Sequence, residues 1–166
     1  MRRISILLVM LMVLGFTGIV SAADTDSIDL LVTPGVTLAV AITEASYNFG
    51  DVDLGTNTVS TEAVTVDTHG ADVNQKLQIT CANSTDWSVG GTAATDVFEM
   101  YGEFSETQPA SFTHQITSAG VYVDSNETDV PKDTSKSLWF KLEMPTDSGS
   151  GAQQTIAFTV KGVAVP

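Results

Sequence analysis

Two histidines, one cysteine, two tryptophans and one run of oxygen-bearing side chains are the residues of this 166-residue chain that could do chemistry. His69 and His114 lack the i+2 or i+4 spacing of a zinc pair, so they are not expected to share a metal. Asp124, Asn126, Glu127 and Asp129 place four oxygen donors within six residues, and hard oxygen ligands on a loop suit calcium. An EF-hand would need glycine where Asp129 stands and a glutamate farther on, so calcium here would take an irregular loop, with Asp51 and Asp53 as a second choice. The competing reading is a solvated acidic loop. No Gly-x-Ser-x-Gly elbow or other local nucleophile motif occurs, and no catalytic role is expected.

Trp87 and Trp139, with Tyr101 and Tyr122, could stack against a sugar ring, although their flanking residues are also consistent with half-buried packing. Cys81 falls on the same strand face as Leu77 and Ile79, which predicts a buried, inert thiol. As the sole cysteine it forms no intrachain disulfide, so the core alone must hold the fold. Asn83-Ser84-Thr85 and Asn126-Glu127-Thr128 are glycosylation sequons in predicted loops, usable only in a host that glycosylates exported proteins.

The first two dozen residues set the compartment. Arg2 and Arg3 precede an apolar run from Ile4 to Val20, and small residues at Ser21, Ala22 and Ala23 supply a cleavage site. Residues 1–22 are therefore expected to be a cleaved signal peptide; the run is short for a membrane span of ~20 residues and is weakened by Gly15 and Gly18. The product is expected outside the cytoplasm, in the cell envelope or beyond it, and periplasmic where an outer membrane retains it. About 143 residues remain, the length of one domain with one core. They carry five lysines, no arginine and twenty carboxylates, a formal charge of about −15. Such a surface repels phosphate backbones and anionic head groups, which excludes nucleic-acid binding and membrane association after cleavage.

Period-two alternation predicts an all-β chain. Val36, Leu38, Val40 and Ile42 mark a first body strand, Val64 and Val66 a second, and Leu77, Ile79 and Cys81 a third. Phe98, Met100 and Phe104 follow, with Gly102 read as a bulge, then Phe112, His114 and Ile116, and then Val121 to Val123. Leu138, Phe140, Leu142 and Met144 and the returning Ile156, Phe158 and Val160 form the strongest predicted hairpin, around the turn-rich Pro145 to Gly151. Seven to nine strands at this spacing predict an immunoglobulin-like, two-sheet antiparallel sandwich over residues 36–166.

Tyr47-Asn48-Phe49-Gly50-Asp51-Val52-Asp53-Leu54-Gly55, followed by Val64 to Gly70, resembles the opening of PapD-like and major-sperm-protein-like immunoglobulin folds of secreted bacterial proteins. It departs from their pattern where Asp67, Thr68 and His69 precede Gly70. The resemblance implies a scaffold or adhesion fold and no activity.

Residues 23–35 stand apart. Ile28, Leu30 and Val32 alternate with Asp29, Leu31 and Thr33 before Pro34-Gly35. They read either as an ordinary edge strand or as an arm that adds to the sheet of a neighbouring copy. Together these features predict a secreted, non-catalytic subunit of a filament, surface layer or matrix that self-associates. The alternative is an extracellular module binding carbohydrate or another cell-surface ligand through exposed aromatic residues.

Overall fold

Residues whose alternate side chains are apolar pair into ten strands in the computed structural model, which describes residue 32 and residues 35–123 and 129–165. These are β1 (Ala41–Ile42), β2 (Asn57–Val59), β3 (Val64–Asp67), β4 (Gln75–Cys81), β5 (Ser88–Val89), β6 (Val97–Phe104), β7 (His114–Ile116), β8 (Val121–Tyr122), β9 (Ser135–Glu143) and β10 (Phe158–Ala164). No helix occurs among the described residues, and none is long and apolar enough there to cross a membrane. The all-β expectation holds, with more strands than predicted because three of the ten are two-residue segments.

Two sheets form. The larger runs β1-β3-β9-β6-β5, with β2 also on β9 and β7 also on β6; the smaller runs β10-β4-β8. Pairing is antiparallel except for β5 on β6. The expected signal peptide, Ile28 and Leu30 lie outside the described residues, and Val32 falls in a separate unit, Met1–Pro34, from the sheets.

Burial follows the pleat. In β4, Gln75, Leu77, Ile79 and Cys81 are buried while Lys76, Gln78 and Thr80 are half-exposed. In β9, Leu138, Phe140 and Leu142 are buried and Trp139, Lys141 and Glu143 take the outer face. These join Val64, Val66, Phe98, Met100 and Ile116 in one core between the sheets. Phe49 and Val52 pack against that core, and Tyr47 meets Phe49 edge to face at 4.9 Å. Gly50, Gly55 and Gly70, the glycines of the stretch that resembles the immunoglobulin-fold opening, all have positive φ, the turn conformation that glycine adopts without a Cβ penalty.

Three expectations are corrected. The strands around Pro145 to Gly151 do not form a hairpin: β9 pairs with β2, β3 and β6, while β10 pairs with β4 in the other sheet. Both patterns face the same core from opposite sides, and Phe140 and Phe158 meet across it at 4.9 Å. The crossing loop is pinned instead of turning tightly: Thr146 N–H donates to Ala94 O and Asp96 N–H to Asp147 O, at 3.1 and 2.9 Å.

Gly102 makes no bulge. It lies in register opposite Phe140 and His114, and a Cβ there would stand 2.7 Å from Ile116 Cδ1, so close packing between strands selects the glycine. The predicted first body strand is reduced to Ala41–Ile42, leaving Val36, Leu38 and Ile42 exposed while Val40 packs against the core. The preceding backbone bonds to a loop, with Asp72 N–H donating to Thr37 O at 3.0 Å.

Candidate functional site

Because β6 turns Phe98, Met100 and Gly102 inward, Glu99, Tyr101 and Glu103 take its outer face. The register with β9 sets Glu99 opposite Glu143, Tyr101 opposite Lys141 and Glu103 opposite Trp139. Like charges directly opposed destabilise a sheet, and the surrounding bonds compensate. Lys141 Nζ donates to Glu143 Oε1 at 2.5 Å and stands 5.2 Å from the Tyr101 ring centre. Glu99 is only 7% exposed. Its Oε1 accepts the Ala93 N–H at 2.8 Å, and its Oε2 accepts the Tyr101 hydroxyl at 2.6 Å and Gln115 Nε2 at 2.8 Å. Donation to the Glu99 carboxylate, burial, and the charges of Glu99 and Glu143 together push the Tyr101 phenol up to about 12.

Glu99 and Glu143 border a depression of about 290 Å³ with Thr56, Asn57, Thr92 and Thr146 on its rim. Carboxylates ringed by hydroxyl and amide groups accept hydrogen bonds from a small hydroxylated or cationic molecule. The Glu99 oxygens, however, already accept three bonds from the protein. In the sequence these two glutamates are merely polar positions of two alternating strands 44 residues apart, and only the β6–β9 register unites them.

The predicted site residues lie elsewhere. Trp87 packs against the core, and its indole N–H donates to Ser148 Oγ at 2.8 Å; Ser148 in turn donates to Asp96 Oδ1 at 2.6 Å. Trp139 is half-buried on the outer face, its N–H donating to Ser105 O at 2.9 Å. The polar edge of each indole is thus committed within the protein. Asn83 is exposed, with its side-chain oxygen accepting the Val89 N–H at 3.0 Å. Of the acidic run, Asp129 is exposed and Asp124, Asn126 and Glu127 lie outside the described residues.

His69 and His114 each meet a carboxylate. The Asp67 side chain caps the loop at His69 by accepting its backbone N–H at 2.8 Å and also meets His69 Nδ1; the backbone bond is the larger cause holding the Asp67 carboxyl below its usual range. His114 Nδ1 stands 2.9 Å from Glu103 Oε2 and 3.2 Å from Thr113 Oγ1. Both partners meet the same nitrogen, so the ring does not link hydroxyl to carboxylate through its two nitrogens as a triad histidine does.

Cys81 is 1% exposed, and burial pushes its thiol to about 12. The raised values of Cys81 and Tyr101 make stability sensitive to alkali. Their unfolded references are 9.0 and 10.0, so the unfolded chain loses these protons first. The stabilisation is complete below about pH 9 and declines as pH rises towards 12. Thermal melts should show a midpoint falling steadily over that window, with tyrosinate absorbance lagging behind that of free tyrosine. A midpoint constant to the top of the window would contradict both assignments.

Comparison with protein-family models, curated proteins and solved structures gives no match to this chain.

Proposed function

We propose that this is a secreted, non-catalytic structural protein with an immunoglobulin-like sandwich, the subunit of an extracellular filament, surface layer or matrix, assembling through its N-terminal arm. The observation that carries this reading is an apolar row left in solvent. In the stretch that follows Pro34-Gly35, Val36, Leu38 and Ile42 are 43%, 37% and 39% exposed. An exposed apolar strand segment invites pairing with another chain. The export signal, the acidic surface and the resemblance of residues 47–55 to scaffold folds agree with this role. The alternative, an extracellular carbohydrate- or surface-binding module, draws less support from Trp87 and Trp139, whose indole N–H groups are both engaged internally.

The mature chain starting at Ala23 is expected to form oligomers or fibres in light scattering and negative-stain microscopy. A chain starting at Pro34 should remain monomeric. Running both with and without calcium tests the Asp124 to Asp129 loop at the same time. A mature chain that stays monomeric in every condition would overturn the assembly reading.

A further inference from the structure

Resting on that reading, we infer that the acceptor for the arm of one copy is the free edge of β10 in a second copy, with Ile28–Thr33 adding as the next strand of the smaller sheet. Among the described residues β10 is the outer strand of its sheet, paired only with β4, and at seven residues it is much longer than the two-residue outer strands β1, β5 and β8.

The phase of the ladder shows what this edge offers. Ala82 N–H donates to Ala157 O, and Cys81 N–H donates to the other side, to Thr117 O. Antiparallel bonding alternates, so Thr159, Lys161 and Val163 bond to β4 while the N–H and C=O groups of Phe158, Val160 and Gly162 point away from it. Three consecutive outward pairs are a template for an added strand. The six residues of Ile28–Thr33 extend about 20 Å, close to the length of β10 at ~3.3 Å per residue.

Charge and apolar pattern favour the same occupant. Neither β4 nor β10 contains a carboxylate; together they carry Lys76 and the exposed Lys161 in a chain dominated by acids. Residues 23–34 contain Asp24, Asp26 and Asp29 and no basic residue. On the inner side, Phe158 and Val160 are only half-buried, and Val40 Cγ2 stands 3.2 Å from the Cβ position of Gly162, which brings the row continuing from Val36 and Leu38 to this flank. Ile28, Leu30 and Val32, placed on the core side, would cover it. Gln75 Oε1, next to the Cβ position of Gly162, is the one buried side-chain oxygen or nitrogen without a hydrogen-bond partner among the described residues.

The test mixes a mature chain carrying Leu31→Cys with chains carrying Thr159→Cys, Lys161→Cys or Val163→Cys, and with a control carrying Thr92→Cys in the exposed loop between β5 and β6. The native Cys81 is buried and stays out of the reaction. Pairing holds the introduced thiols at high effective concentration, so at least one β10 position should yield roughly tenfold more disulfide-linked dimer than Thr92→Cys. Arm-dependent assembly with no preference for β10 would overturn the acceptor while leaving the subunit reading intact. Monomers without linkage in every mixture would overturn both. A single chain carrying Leu31→Cys and Lys161→Cys that closes its disulfide internally at high dilution would overturn exchange in favour of self-pairing.

Discussion

Phe98→Ala is expected to lower the folding free energy by about 3–5 kcal/mol, the range for removing a buried aromatic ring. Phe98 is fully buried and heads the largest fully buried side chains. Its strand is fixed on both sides: Gly90 N–H donates to Phe98 O at 2.9 Å, and the neighbouring Glu99 and Met100 are in register with Glu143 and Leu142 of β9. A strand held in this way cannot close over the hole left by the ring, so the cavity contribution adds to the lost transfer free energy. Against a typical total of 5–15 kcal/mol this is a large fraction. The measurement is a denaturant titration, with a lower midpoint and an unchanged slope. Met100→Leu, which nearly conserves volume in the same strand, should cost under about 1.5 kcal/mol. Equal losses from the two variants would show that the effect of Phe98→Ala does not arise from a cavity.

The core was legible in the sequence wherever strands alternate cleanly. Leu77, Ile79 and Cys81, and likewise Leu138, Phe140, Leu142 and Met144, are buried as their period requires. Partnership between strands was not legible. Alternation says which face is apolar and nothing about the neighbour, so two patterns separated by Pro, Asp, Ser and Gly read as a hairpin although the loop carries the chain between sheets. Such loops need the same residues as tight turns, because both expose backbone to water. The failure at Val36–Ile42 is of another kind: the pattern is present, but only Ala41 and Ile42 find a strand partner, opposite Asp67 and Val66, while Thr37 bonds to Asp72 and Ala39 O accepts Gln75 Nε2. A segment with strand character that leaves Val36 and Leu38 exposed and finds a strand partner only at its end is what an assembling subunit would carry, and that discrepancy connects the local sequence to the proposed function.

The outer-face cluster was invisible for the same reason, and its energetics follow from what the register imposes. Glu99→Ala is expected to cost about 2 kcal/mol, because it strands the Ala93 N–H and the Tyr101 hydroxyl beside a carboxylate only 7% exposed and leaves Gln115 Nε2 with Gly90 O alone, at 3.3 Å. Relief of the opposition between Glu99 and Glu143 offsets part of that loss, which keeps the figure below a simple sum of three charged hydrogen bonds. A second readout isolates the cause. The phenol of Tyr101 stands at about 12 chiefly because it donates to Glu99, so removing the carboxylate should bring its titration back towards the ordinary value of 10.0. Glu99→Gln keeps the shape and an acceptor oxygen but removes the charge. It should therefore recover much of the stability while still lowering the Tyr101 titration. If Tyr101 continued to titrate near 12 in both variants, burial and Glu143 would have to hold the proton, and Glu99 would lose its place as the centre of the network.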